Sequence, residues 1–246
     1  MRILIKLIQA SKNFKLHDDI HNFILHLFIE STVNETYFDS STLKYFRRSF
    51  THGTVDKTID SSQSSPVDVK FEIVKASLAE HPEDTMFYQA YKQLYSNASR
   101  TFRRSNDEQV WKATYVDMFS DDQGGPYRDS VTRICADLCS IRLPLFILCP
   151  NGRTNNGLNR DRWVPNVFPP NRSIPVDIKN QYRFVGQLIG MAIRTKQYLD
   201  VRFPILLWKQ LIDEEVTIED IEAIDISSFG IINEMEENIR EIKIVL

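Results

Sequence analysis

The sequence has little of what marks a secreted, membrane or nucleic-acid-binding protein. It holds three cysteines in 246 residues, an odd number in a chain too long for a small disulfide scaffold, which favours a reducing, cytoplasmic location. No apolar run reaches the roughly 18 residues of a membrane-spanning helix, and Lys6 interrupts the apolar N-terminal stretch that a signal peptide needs. A net charge of −3 argues against a nucleic-acid partner, since such domains are usually markedly basic.

The three cysteines lack the surroundings of a nucleophile. A reactive thiol needs a cation, a histidine or a helix N-terminus nearby. Cys135 lies on the apolar face of a predicted helix, Cys149 ends an apolar strand, and Cys139 lies near a helix C-terminus, whose dipole opposes a thiolate. We therefore predict no catalytic and no cofactor-binding residue in this chain.

Metal ligands are also not indicated. His17 and His21 are four residues apart, with His26 beyond them, and Cys135 and Cys139 have the same spacing. That spacing places two ligands on one helix face, but neither a CxxC pair nor a HExxH motif accompanies it. Solvated or core side chains on amphipathic helices explain the pattern, and we predict no metal site and no cofactor.

A short basic run has two interpretations. Arg100, Arg103 and Arg104 would suit a phosphate or RNA contact. Asp107 and Glu108 follow at once, which favours local ion pairs at a solvated helix end.

Periodicity predicts an α+β, predominantly helical fold. Residues 1–50 are predicted as a helical extension and 51–66 as a Ser/Thr-rich linker. Strict alternation predicts a strand over 67–74, and further strands are predicted at 111–116 and 143–149. Apolar residues at helical spacing predict helices after Pro82, from Pro126, over 181–197 and from Pro204, and Thr217 with Asp220 resembles a capping box. Residues 150–175 are predicted as a long irregular stretch.

Two glycine pairs have local structural interpretations. Gly124 and Gly125 precede a helix and could bind an anion, but Asp121 and Asp122 beside them favour a plain turn, with positive φ expected at Gly125. Gly186 and Gly190 lie four apart on one helix face, where close packing of another element is expected. This pair lacks the Lys-Ser/Thr of a phosphate-binding loop.

Four segments together resemble the first half of a HECT-type ubiquitin ligase domain. They are Val110 to Asp129, LPLFILCPNGR at 143–153, FVGQLIGMAIRTKQYLD at 184–200, and RFPILLWKQLIDEEVTIEDIEAID at 202–225. The amino-acid sequences of these segments are most similar to those of ligases of the HERC class. The resemblance covers roughly residues 85–235.

The resemblance implies a fold, an activity and partners. Residues 67–246 would form a partial HECT domain, the large subdomain of its N-lobe, truncated before the C-lobe. The family transfers ubiquitin from a conjugating enzyme, through a cysteine thioester, to substrate lysines. Ubiquitin and a ubiquitin-conjugating enzyme are thus the expected partners, although the docking subdomain would be largely missing.

Departures from the family leave the chain's own activity open. Residues 117–120 replace the Gly-Glu-Gly that usually precedes the acidic turn, and no Thr-Cys-Phe-like motif is present before Leu246. The family's catalytic cysteine therefore maps to no residue here. Either the chain is an inactive part of a ligase, or it is a non-catalytic interaction module that keeps the N-lobe scaffold.

The suspected truncation carries one further expectation. The helix at 184–197 is apolar around much of its circumference, and Leu207, Trp208 and Leu211 add another apolar face. Missing elements would leave these residues uncovered, so we expect an exposed apolar patch and self-association.

Overall fold

The fold is known from a computed structural model, which describes residues 66–102, 109–116, 118, 124–167, 174–212 and 214–245. The predicted N-terminal extension, nearly all of the predicted linker, and Arg103 and Arg104 lie outside the described residues. No helix among these residues is long and apolar enough to cross a membrane.

Helices dominate the described residues, and four short strands accompany them. The elements in chain order are β1 Val67–Phe71, α1 Ile73–Ser77, α2 Met86–Leu94, α3 Ala98–Thr101, β2 Trp111–Tyr115, α4 Gly125–Leu138, β3 Phe146–Leu148, α5 Pro150–Thr154, β4 Trp163–Pro165, α6 Val176–Thr195, α7 Ile205–Ile212, α8 Ile218–Glu222 and α9 Ile226–Val245. Short 3-10 turns flank α2 at Pro82–Asp84 and Tyr95–Asn97. The α+β class predicted from the sequence agrees with this composition.

The chain divides into two compact units. Among the described residues, the first unit comprises 66–147 and 174–202, and the second comprises 148–167 and 203–245. Each unit therefore combines segments that are distant in sequence, so neither is a contiguous domain.

A parallel strand pair anchors the first unit. β1 and β2 run parallel in the register Val67↔Trp111 to Phe71↔Tyr115, and α1 to α3 form the crossover that a parallel connection requires. The other edge of β1 is covered by the Gln93 side chain of α2. Its Oε1 accepts the Lys70 N–H at 3.0 Å and its Nε2 donates to the Lys70 carbonyl at 2.8 Å. The Gln93 amide therefore makes the hydrogen bonds to Lys70 that a third strand would make at this edge of β1.

Aromatic side chains form the core of the first unit. Phe184 of α6 is completely buried and meets the rings of four other residues at centroid distances of 5.7 to 6.5 Å: Phe87, Tyr91, Tyr95 and Phe102. Phe102 also contacts Trp111 of β2, whose indole N–H donates to Ser130 Oγ at 3.1 Å. The cluster thus joins α2, α3, β2, α4 and α6.

The second unit is organised around α9. Phe229 and Ile232 of this helix are buried, and α5 packs against it. Lys209 of α7 and the Thr217 N–H both donate to the Asp220 carboxylate, at 2.7 and 2.8 Å. The predicted capping box is therefore present, and Asp220 also connects α7 to α8.

Element types were predicted better than element ends. The strand predicted over 67–74 ends at Phe71 because the Glu72 N–H donates to Gln89 Oε1 at 2.9 Å and α1 begins at the next residue. The stretch 150–175, predicted as irregular, contains α5 and β4. The helix predicted from 181 begins five residues earlier, at Val176, over a VDIKN segment too short to show a helical apolar period. Gly186 and Gly190 are both buried in it, as expected from close packing.

The expected uncovered apolar patch is wrong for most of the residues that motivated it, although Ile193 near the end of α6 is 54% exposed. Phe184, Val185, Leu188 and Ile189 of α6 are at most 5% exposed, because the aromatic cluster and α4 cover them. In the second unit, Leu207 and Leu211 are at most 1% exposed and Trp208 is half-buried. Self-association, if it occurs, needs a different surface.

Candidate functional site

Cys135 lies inside the core of the first unit. It is 2% exposed on α4, and it lines an apolar cavity together with Leu138, Val185 and Met191. Burial raises the pKa of the Cys135 thiol to about 12, with a smaller contribution from Cys139, because an apolar environment disfavours the thiolate. The side chain behaves as a small hydrophobe.

The other two cysteines are engaged in backbone contacts. Cys149 is fully buried, and its thiol donates to the Asn159 carbonyl at 3.2 Å. Cys139 caps the C-terminus of α4 and is partly exposed, and its sulfur accepts the Arg202 N–H at 3.2 Å. A helix C-terminus disfavours a nearby anion. The prediction that no cysteine of this chain is catalytic thus stays a prediction, with buried or capping positions in its favour.

A buried asparagine that the sequence analysis missed organises the second unit. Asn151 is 1% exposed. Its Nδ2 donates to the Leu158 and Ala223 carbonyls at 2.8 and 3.2 Å, and its Oδ1 accepts the Ile226 N–H at 2.7 Å. One side chain therefore fixes the loop after α5 to the α8–α9 junction, more than 70 residues away in sequence.

The loop that Asn151 fixes has an unusual backbone. Asn155, Asn159 and Gly157 have φ values of 52°, 54° and 75°, in the left-handed region that Asn and Gly tolerate best. A Cβ on Gly157 would lie 2.7 Å from Ile226 Cγ2. The concentration of Asn and Gly in NGRTNNGLN was the available signal, and it indicates successive tight turns.

Two carboxylates in the first unit, the exposed Asp177 and the buried Asp137, serve the scaffold. Asp177 accepts the Tyr91 hydroxyl at 2.9 Å and Gln181 Nε2 at 2.6 Å, and burial together with this carboxylate raises the pKa of Tyr91. Asp137 accepts the Phe87 N–H at 3.1 Å. Burial raises the pKa of Asp137, and the Phe87 N–H and Arg142 oppose that shift. Both acids have their oxygens committed to protein donors, which is unlike a general acid or base facing a substrate.

The residues considered as metal ligands lie partly inside and partly outside the described ranges. Within the described ranges, no group of three or more His, Cys, Asp or Glu side chains is placed to hold a metal ion. His17, His21 and His26 lie outside those ranges, as do Asp121 and Asp122.

The turn before α4 corrects the sequence prediction by one residue. Gly124, not Gly125, has positive φ, at +100°, and it is the N-cap of the helix. Gly125 is already helical, and a Cβ on it would meet nothing within 4 Å.

This difference gives a matched pair of substitutions. We expect Gly124→Val to lower the free energy of unfolding by more than about 1 kcal/mol, because a branched side chain is strained at positive φ and its Cβ would lie 3.2 Å from Gln109 Nε2. Gly125→Ala should leave it unchanged or raise it slightly. Chemical denaturation of both variants checks this, and equal midpoints would contradict the assignment of the turn.

Comparison with known proteins locates a family in the C-terminal half. The HECT-domain (ubiquitin-transferase) family matches residues 132–245. The mouse E3 ubiquitin-protein ligase HERC2 is 40% identical over 116 residues, which are 47% of this chain and 2% of that protein. The fission yeast (Schizosaccharomyces pombe) ligase pub3 is 35% identical over 69 residues, 28% of this chain and 9% of that protein.

The matched region coincides with most of the described fold. It begins within α4 and continues through α9, so it includes the Asn151 loop and α6, whereas β1, β2 and α1 to α3 precede it. The chain spans only 2% of the length of the HERC2 relatives. Residues 132–245 therefore match the HECT-domain family, and the proteins similar to them include ubiquitin ligases of the HERC class.

Proposed function

We propose that this chain forms the large subdomain of a HECT N-lobe and acts as a scaffold in ubiquitin transfer. The observation that carries the proposal is the 40% identity to HERC2 over 116 residues, within the region that the HECT family matches. The parent reaction passes ubiquitin from a conjugating-enzyme thioester to a ligase cysteine and then to a substrate lysine. The expected partners are a ubiquitin-conjugating enzyme and ubiquitin, in the reducing cytoplasm that the three free cysteines suit.

The positions of the cysteines support a scaffolding role over a catalytic one. Thioester exchange requires a thiolate that can approach the charged conjugating enzyme. Cys135 and Cys149 are at most 2% exposed, and the sulfur of Cys139 accepts a backbone N–H at the end of α4. These positions support the proposal that none of the three cysteines performs the chemistry of the parent ligase.

The first test is thioester formation. We expect the purified chain to accept no ubiquitin from a charged conjugating enzyme, because none of its thiols is both accessible and activated. A non-reducing gel would show no additional ubiquitin band, while a complete HECT ligase in a parallel reaction would show one. A band that disappears with reducing agent and in Cys139→Ala would contradict the proposal.

A non-catalytic interaction module is the second candidate, and the same cysteine positions favour it. Restoration of ubiquitin transfer separates the two candidates. A piece of ligase machinery supports transfer when the remainder of a HERC-class HECT domain is added, whereas a module binds its partner without restoring transfer. Measuring ubiquitin discharge with and without that remainder distinguishes them.

A further inference from the structure

The second unit exposes large apolar side chains on the Asn151 loop and on α9, and these together define a stripe. Leu158, at the tip of the Asn151 loop, is 80% exposed, although its carbonyl is held by Asn151. Ile231 and Met235, one turn apart on α9, are 57% and 46% exposed. The loop touches the start of the same helix face, because Asn156 Nδ2 lies 3.4 Å from Ser227 Oγ, and residues 227, 231 and 235 follow one another along that face.

The loop end of this stripe is held by side-chain hydrogen bonds and carries an exposed arginine. Arg160 is exposed, and its guanidinium donates to Asn155 Oδ1 at 2.9 Å. Asn159 Nδ2 donates to the Ala223 carbonyl at 3.1 Å. Two asparagines in the left-handed region maintain this conformation, and its hydrogen bonds place Leu158 in solvent, where it adds nothing to the core. Such preorganisation lowers the entropic cost of binding.

The helix end of the stripe is acidic. Glu234 and Glu237 of α9 are both exposed. At 1.5 Å per residue, they lie roughly 10–15 Å along the helix from Ser227, where the loop makes its contact. An apolar stripe with positive charge at one end and negative charge at the other is complementary to itself after a two-fold rotation.

We propose that this surface, the Leu158 stripe, binds a second copy of the chain in an antiparallel two-fold arrangement. Leu158 of each copy would lie on Ile231 and Met235 of its partner, and Arg160 would face the partner's Glu234. In a two-fold interface each contact occurs twice, so the binding free energy includes the contribution of each contact twice. The proposal is independent of the ligase function, because it uses no residue assigned to ubiquitin transfer.

Charge exchange provides the test. The full chain is followed by sedimentation velocity over a concentration series at low salt. We expect a dimer whose dissociation constant rises by about tenfold or more in Arg160→Glu and in Glu234→Arg, since each reversal replaces two attractions by two repulsions. The double variant Arg160→Glu/Glu234→Arg should return towards the parent value. Raising the salt should weaken the parent dimer, because exposed charges are screened.

Matched variants distinguish dimerisation through this surface from non-specific association. Leu158→Asp should abolish dimerisation, whereas Ile141→Asp, at a residue 93% exposed in the first unit, should not affect it. Circular dichroism confirms that each variant is folded. A parent chain that stays monomeric at all concentrations, or a dimer insensitive to Leu158→Asp, overturns the proposal. Failure of the double variant to recover overturns the antiparallel arrangement.

Discussion

Gly152→Ala should destabilise the second unit more than Gly157→Ala or Gly230→Ala. A Cβ at this position would lie 2.2 Å from the Arg160 carbonyl oxygen and 2.5 Å from Leu148 Cγ. The first of these is backbone in the loop held by Asn151 and Asn159, so it cannot move aside without breaking that loop. We expect a loss of about 3 kcal/mol or more, at the upper end for an overpacked site.

Such a loss should lower the melting temperature by roughly 6 °C or more for a chain of this size. Gly230→Ala is the matched control, because a Cβ there meets nothing within 4 Å on the exposed face of α9. It should be neutral or stabilising by up to about 1 kcal/mol. Hydrogen exchange over residues 150–165 gives a readout specific to the loop. Protection there equal to that of the parent would show that the loop relaxes around the methyl group.

The elements found from sequence are those with a strong local period. α2, α4 and α6 bury residues at helical spacing, so their apolar faces are visible in the sequence before any partner is known. The ends of these elements depend on side chains from elsewhere. Gln89 and Gln93 of α2 determine where β1 ends and how its edge is covered, and no pattern within residues 67–74 contains that information.

The Asn151 loop shows why the candidate site was only partly predictable. The Asn and Gly residues of the loop indicate its turns. The position of the loop, however, depends on contacts with Ala223 and Ile226, far along the chain. Such long-range hydrogen bonds have no local signature. The burial of Cys135 was predictable, since this residue lies on the apolar face of a predicted helix. The family resemblance came from short sequence motifs, which hydrophobic periodicity alone does not reveal.

Phe184→Ala should be the most damaging truncation in the first unit. The ring is completely buried, and its four aromatic neighbours come from α2, the turn after α2 and the C-cap of α3. Collapse around the void would therefore require several elements to move together.

We therefore expect a loss of about 3–5 kcal/mol, the range for deleting a buried phenylalanine. Ile193→Ala, on the same helix but 54% exposed, is the control and should cost well under about 1 kcal/mol. Urea unfolding followed by far-UV circular dichroism compares the two variants. Tryptophan fluorescence in a Trp163→Phe/Trp208→Phe background should report the same transition, because the remaining indole, that of Trp111, lies beside Phe102 at the edge of the cluster. Similar midpoints for both variants would mean that the aromatic cluster repacks and that Phe184 is not its centre.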